Sequence, residues 1–227
     1  MNAQRPAAQV MSARSRYREL MLGADYGPGR DLAKTFGSAT ALATVLVLML
    51  DEPTAGDFLA IPLAILYGTF AEHLGHRWAM HRRVPGLGRV FLEHKVHHRF
   101  FTHTAMHCGA SADMRMVMFS PILLGYFVGI FVAPTAAVVW LLFGWNAAVL
   151  VALVTIIYYA SFELWHLAAH LPATHPFCRV FPRTAAWFRE RHRRHHHPDH
   201  QTKWNFNVVL PIADHLLRAA APEEPSP

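Results

Sequence analysis

MVMFSPILLGYFVGIFVAPTAAVVWLLFGWNAAVLVALVTIIYYASF, residues 116–162, holds 47 consecutive positions without a charged side chain. One spanning helix needs about 20 predominantly apolar residues, so this stretch predicts two helices and a turn. Ala133-Pro134-Thr135 and Gly144-Trp145-Asn146 are both candidates for the turn, and the residues do not choose between them. Two shorter apolar runs lie upstream, Ala33 to Leu50 and Phe58 to Glu72, each near the lower limit for a span. Between them, residues 51–57 read as a turn with Pro and Gly. The expectation is an all-α integral membrane protein with four transmembrane helices.

Composition and charge agree. The chain of 227 residues is 53% hydrophobic and 16% charged, against about 25% charged in soluble domains. A disordered chain, a collagen and a coiled coil are excluded. A net charge of +6 would suit a nucleic-acid binder, but the 21 Lys and Arg fall in three blocks, Arg5 to Lys34, Arg77 to Arg115 and Arg179 to Arg218. Bases kept out of long apolar stretches belong to a membrane protein, because charge is costly in hydrocarbon; no nucleic-acid partner is expected. The positive-inside rule puts the three blocks in the cytoplasm and the acidic loop 51–57 outside.

The first 31 residues carry no apolar run of signal-peptide length and read as a cytoplasmic segment, with Arg14, Arg16 and Arg18 beside acidic lipid. Residues 32–218 form the membrane domain. The Ala/Pro/Glu-rich stretch 219–227 reads as a disordered tail. Cys108 and Cys178 build no disulfide framework and are expected to be passive buried thiols.

Histidine is the anomaly, with 17 in the chain. Ten fall in four boxes: His76-x4-His81, His94-x2-His97-His98, His166-x3-His170 and His192-x2-His195-His196. Each box sits at the cytoplasmic end of a span or in the basic loop after one. Residues three and four apart share a helix face, so the rings of each HxxHH box can point at one place. Five residues turn an α-helix by about 140°; either the helix ends between His76 and His81, or the two serve different ions. Ten imidazoles exceed the four ligands of structural zinc and suffice for two ions of five or six coordination. Iron suits imidazoles with open positions, although an overexpressed site also takes up zinc. Glu72, Glu93 and Glu163, three or four residues before box histidines, are candidates to orient the rings.

Outside the boxes, His215 reads as an ordinary core histidine and His175 as a loop residue. His73, His103, His107, His197 and His200 are marginal candidates. The run Arg189 to Arg194 reads as a lipid-facing or solvated surface. Trp140, Trp145 and Trp165 read as interface or packing aromatics. Gly75, Gly125 and Gly129 are candidates for close helix packing.

The order HxxxxH, HxxHH, HxxxH, HxxHH around four spans resembles the fatty acid hydroxylase/sterol desaturase superfamily. Glu72-His73-Leu74-Gly75-His76-Arg77 is similar to its first box, and 204–218, with Asn205, Asn207, Pro211 and Asp214, to its closing segment. The resemblance covers about residues 58–218. It implies a cytoplasmic dimetal cap with two non-haem irons held by His76, His81, His94, His97, His98, His166, His170, His192, His195 and His196. It implies a lipid monooxygenase, with the same scaffold also serving a desaturase or a carotenoid hydroxylase. The His166-x3-His170 spacing looks more like the lipid hydroxylase branch. No cytochrome b5 domain is fused here, so electrons are expected from a separate ferredoxin or cytochrome b5-like donor with its reductase. A non-enzymatic metal-binding membrane protein is the competing class; dioxygen uptake separates them.

Overall fold

The computed structural model describes residues 7–22 and 26–222. Among them the regular elements are helices: α1 (Ala7–Met21), α2 (Pro28–Leu48), α3 (Ala60–Leu74), α4 (Gly88–Phe100), α5 (Pro121–Phe127), α6 (Ala133–Phe143), α7 (Trp145–His170), α8 (Pro176–Val180), α9 (Pro182–His195) and α10 (Ile212–Leu216). Four stretches are long and apolar enough to cross a membrane: Pro28–Leu48, Asp57–Met80, Leu123–Phe143 and Trp145–His170.

Two of these stretches contain a widened turn. In the third, Pro134 lies at the start of α6, and the preceding residues Val128–Val132 form a π turn, with the N–H of Ala133 reaching back to the carbonyl of Val128. Proline removes one donor and crowds the carbonyl four residues back; an inserted extra residue per turn relieves that crowding and lets the helix run on. The chain therefore reverses not at Pro134 but at Gly144, whose φ of +91° is open to glycine at little steric cost.

The fourth span is the axis of the bundle, with 67% of its apolar window buried, against 6% for the third and 11% for the first. Small residues let its neighbours close in. Ala60 and Ala64 pack on Ala147, Leu150 and Val151, and Ala39 packs beside Ala152 and Ile156. Gly68 is the tightest approach: a Cβ there would lie 2.9 Å from the Tyr158 ring. Gly75, Gly125 and Gly129 have nothing within 4 Å of such an atom, so the close-packing role expected of them falls to Gly68. The outer faces stay bare, with Leu141 83% and Leu48 78% exposed, an apolar surface that water does not tolerate at this extent.

One end of the bundle joins loop 49–57 to the Gly144 turn: Trp145 Nε1 donates to the Met49 carbonyl at 2.8 Å, and the Asn146 amide donates to Asp51. The other end carries a cap built from α4, α8, α9 and α10, and all four histidine boxes. α1 lies on that cap. The stretch 219–222 belongs to it as well. Ala219 is buried, its carbonyl accepts from Asn205, and Arg194 donates to the carbonyl of Pro222. The remainder of the expected tail lies outside the described residues.

Candidate metal centre

His76 and His81 are brought together by the second π turn. Residues Gly75–Met80 continue α3 with an extra residue per turn, so positions five apart come onto one face. The two rings stack 5.3 Å apart at 15°. Of the two sequence alternatives the first holds: the helix ends at Met80, with His81 at its C-cap, and the two histidines share one group.

Two groups of imidazole nitrogens form, each with its ligand atoms within 4.8 Å of one another. One contains His76, His81, His94, His98 and His195; the other contains His97, His170, His192 and His196. Each HxxHH box divides between them in the same way. The i,i+4 pair, His94/His98 or His192/His196, stays together, and the middle histidine crosses to the other group. Helix geometry requires it: residues four apart differ by about 40°, whereas adjacent residues differ by about 100°. The expectation that each box points at one place is thus corrected. The groups adjoin, with the rings of His98 and His196 stacked 4.2 Å apart. His166 flanks the second group, its Nε2 3.3 Å from that of His97.

Main-chain oxygens fix the ring orientations. The Nδ1–H of His76 is held by the carbonyl of Phe206, His97 by Met116 at 2.7 Å, His170 by Met106 at 2.7 Å, His195 by Trp204 at 2.9 Å and His196 by Phe101 at 2.8 Å. With the proton on Nδ1, each Nε2 offers only a lone pair to the centre. Burial, then neighbouring imidazoles, holds His94, His98, His192, His195 and His196 well below the ordinary histidine value. The rings stay neutral, the ligating form.

The spacing fits metal. Nε2–Nε2 edges in the first group run between 2.9 and 3.2 Å, and two in the second are 3.0 and 3.1 Å. With metal–imidazole bonds of about 2.1 Å, donors at right angles sit about 3.0 Å apart and tetrahedral donors about 3.4 Å apart. The edges match the wider coordination. Facing lone pairs at this distance repel, and a cation between them removes that cost. His170 Nε2 is buried with no hydrogen-bond partner, as a ligand atom would be.

The three glutamates do not orient rings. Glu72 accepts from the Tyr158 hydroxyl at 2.7 Å, the Asn207 amide at 3.0 Å and the backbone N–H groups of Val208 and Val209. It ties 206–209, and with it the Phe206 carbonyl, to α3. Glu93 accepts from Ser120 and Arg89, and Glu163 from the Tyr159 hydroxyl and the Phe119 N–H. Sequence spacing along one helix picked these carboxylates; the backbone carbonyls that do the work come from loops far along the chain. A buried carboxylate that does meet a histidine is Asp214, 2.8 Å from His73 Nδ1, both fully buried, and Arg191 donates to its other oxygen. Its place in the closing segment was the available signal.

The remaining histidines lie outside both groups. His215 is exposed on α10 rather than in the core, and His175 caps α8 by accepting from Phe177. His103, His197 and His200 form a separate ring cluster, with centroids 4.6 and 4.8 Å apart. The carbonyl of His107 accepts from Arg14. The run Arg189 to Arg194 is not a bare surface: Arg189 donates to Leu171, Arg191 to Asp214, and Arg193 and Arg194 to Glu190. Trp165 stacks on Phe188 at 4.4 Å.

Two cavities reach this end of the bundle. A cavity of about 190 Å³ is lined by His94, His97 and His166 together with Met116, Met118 and Phe119. An apolar cavity of about 130 Å³ lies among α3, α5 and α7, and Phe119 lines it too. Compared with known proteins, the chain matches no protein-family model, no curated protein and no solved structure.

Proposed function

We propose that this chain is a membrane oxygenase that holds two iron ions in its two imidazole groups and hydroxylates an unactivated C–H bond of a lipid. The observation that carries this reading is the pairing of two adjoining, buried, neutral imidazole groups with an apolar cavity. Iron suits nitrogen donors with open coordination positions, and when bound it would supply the activation of dioxygen. The chain's own residues do the rest. Five carbonyls keep the Nε2 lone pairs aimed inward. Phe101 and Phe206, each fully buried against the rings, keep bulk water from the centre.

The chain holds two cysteines, too few for an iron–sulfur cluster of its own, so electrons come from a separate donor of the ferredoxin or cytochrome b5 type. The three basic blocks flank the spans at the histidine end, which supports a centre on the cytoplasmic side. The resemblance of the four boxes to the fatty acid hydroxylase/sterol desaturase superfamily supports the same reading. The test is lipid mass spectrometry under labelled dioxygen, comparing wild type with His98→Ala. A lipid that gains one labelled oxygen only with wild type is the expected result. Loss of two hydrogens without label would make the chain a desaturase, and no dioxygen uptake by iron-loaded protein with a supplied reductant would leave it a metal-binding protein.

A further inference from the structure

The apolar cavity among α3, α5 and α7 is open on one side and stopped at the other. Tyr126 and Ile130 line it and are 41% and 45% exposed, so its mouth lies on the outer, lipid-facing surface of the third span. Gly68, Gly75 and Ala71 keep the α3 wall low. At the inner end stands Phe119, which also lines the second cavity, where His94, His97 and His166 are exposed to the space. The Phe119 ring stacks on Phe162 at 5.8 Å and 4°, and Phe162 lies 5.4 Å from the His166 ring. Its backbone N–H is tied to Glu163.

We propose that this cavity binds one hydrocarbon chain of a bilayer lipid, and that Phe119 sets how far the chain reaches toward the histidines. The inference rests on the oxygenase reading for its purpose and on the cavity alone for its site. The mouth among spanning helices meets acyl chains and no water. The size is informative: an apolar cavity of about 150 Å³ takes up benzene, so about 130 Å³ encloses roughly six carbons and leaves the rest of a long chain in the bilayer. A smaller residue at 119 would join the two cavities and move a deeper carbon to the centre.

The test uses the full chain, metal-loaded, in phospholipid bilayers with a fatty acid carrying a terminal diazirine, and maps the photo-adducts. Adducts on Leu123, Phe127 or Phe131, competed away by unlabelled fatty acid and lost in Ala71→Phe, are expected. In Phe119→Ala the adducts should move to 94–97 and 116–118. Adducts that ignore both competitor and Ala71→Phe would overturn the site, and unmoved adducts in Phe119→Ala would overturn the role of that ring. Should Ala71→Phe fail to fold, competition and Phe119→Ala still decide. Labelling needs no turnover, so competed adducts without dioxygen uptake would sink the oxygenase reading alone, and labelled product without adducts would sink the site alone.

Discussion

The guanidinium of Arg14 donates from Nε to the carbonyl of Phe100 at 2.7 Å, joining the N-terminal helix to the end of α4 across 86 positions of chain. The same side chain, fully buried, donates to the carbonyls of Ala105 and His107 and lies over the rings of Phe100 and Phe101. One turn on, Arg18 grips the buried Asp113 at 2.6 and 2.9 Å. The loop held this way presents the carbonyls of Phe101, Met106 and Met116 to His196, His170 and His97. Arg14→Ala should therefore release metal from the second group and spare the first, and lower stability by on the order of 3 kcal/mol through unpaired buried carbonyls. Metal analysis after gel filtration reads it: a fall from two equivalents toward one is expected, and two retained equivalents would refute the link.

The division of the boxes gives a second prediction. His98→Ala removes a candidate ligand of the first group and His170→Ala one of the second. Each variant should bind about one metal equivalent, and the double variant none. Loss of both metals in each single variant would mean that the groups form one cooperative site.

Acid should unfold the chelator-stripped protein early. Burial, with the His76 and His97 rings next in importance, lowers His81 to about 3, and burial lowers His97 to about 4. The ordinary unfolded value is about 6.5. Above pH 6.5 neither state takes up a proton. Below it only the unfolded chain does, so each such histidine lowers folding stability by about 1.4 kcal/mol per pH unit. The melting temperature should fall steeply from pH 6.5 to 5; a flat profile would contradict the buried neutral rings.

Gly68 and Gly125 should respond oppositely to alanine. At Gly68 the new methyl meets the Tyr158 ring, which cannot swing aside because its hydroxyl is bonded to Glu72. Overpacking of this kind costs about 1–3 kcal/mol. At Gly125 the space is open, and alanine should stabilise the helix by up to about 1 kcal/mol. Thermal unfolding of both variants in one detergent is the comparison.

The four spans could be read from charge-free runs because their cause is local: hydrocarbon excludes charge residue by residue. The helical spacing of the boxes was equally local. What the spacing could not show was the path of the helix. The π turn at Gly75–Met80 changes which residues share a face, and an α-helical ruler misplaces His81. The π turn at Val128–Val132 likewise carries the helix past Pro134, which is why the residues alone left Pro134 and Gly144 as equal candidates for the reversal. Ring orientation by main-chain carbonyls leaves no residue-type signature, whereas helical spacing singles out Glu72, Glu93 and Glu163, and Asp214, which meets His73 beside the groups, lies 141 positions from it. Arg14 looked like one more base near lipid; only the folded loop shows it to be an internal pin.

Main-chain anchoring also bears on how such a protein changes over generations. The oxygens that steer His76, His97, His170, His195 and His196 belong to Phe206, Met116, Met106, Trp204 and Phe101, and every residue type has a carbonyl. Substitution at these five positions leaves the steering atom in place, whereas a one-residue insertion or deletion in 101–116 or 204–206 moves it out of reach. The steering, as distinct from the packing of Phe101 and Phe206, is thus tolerant of spelling and intolerant of length, and drift in its lineage should be recorded as exchanged side chains between loops of constant size.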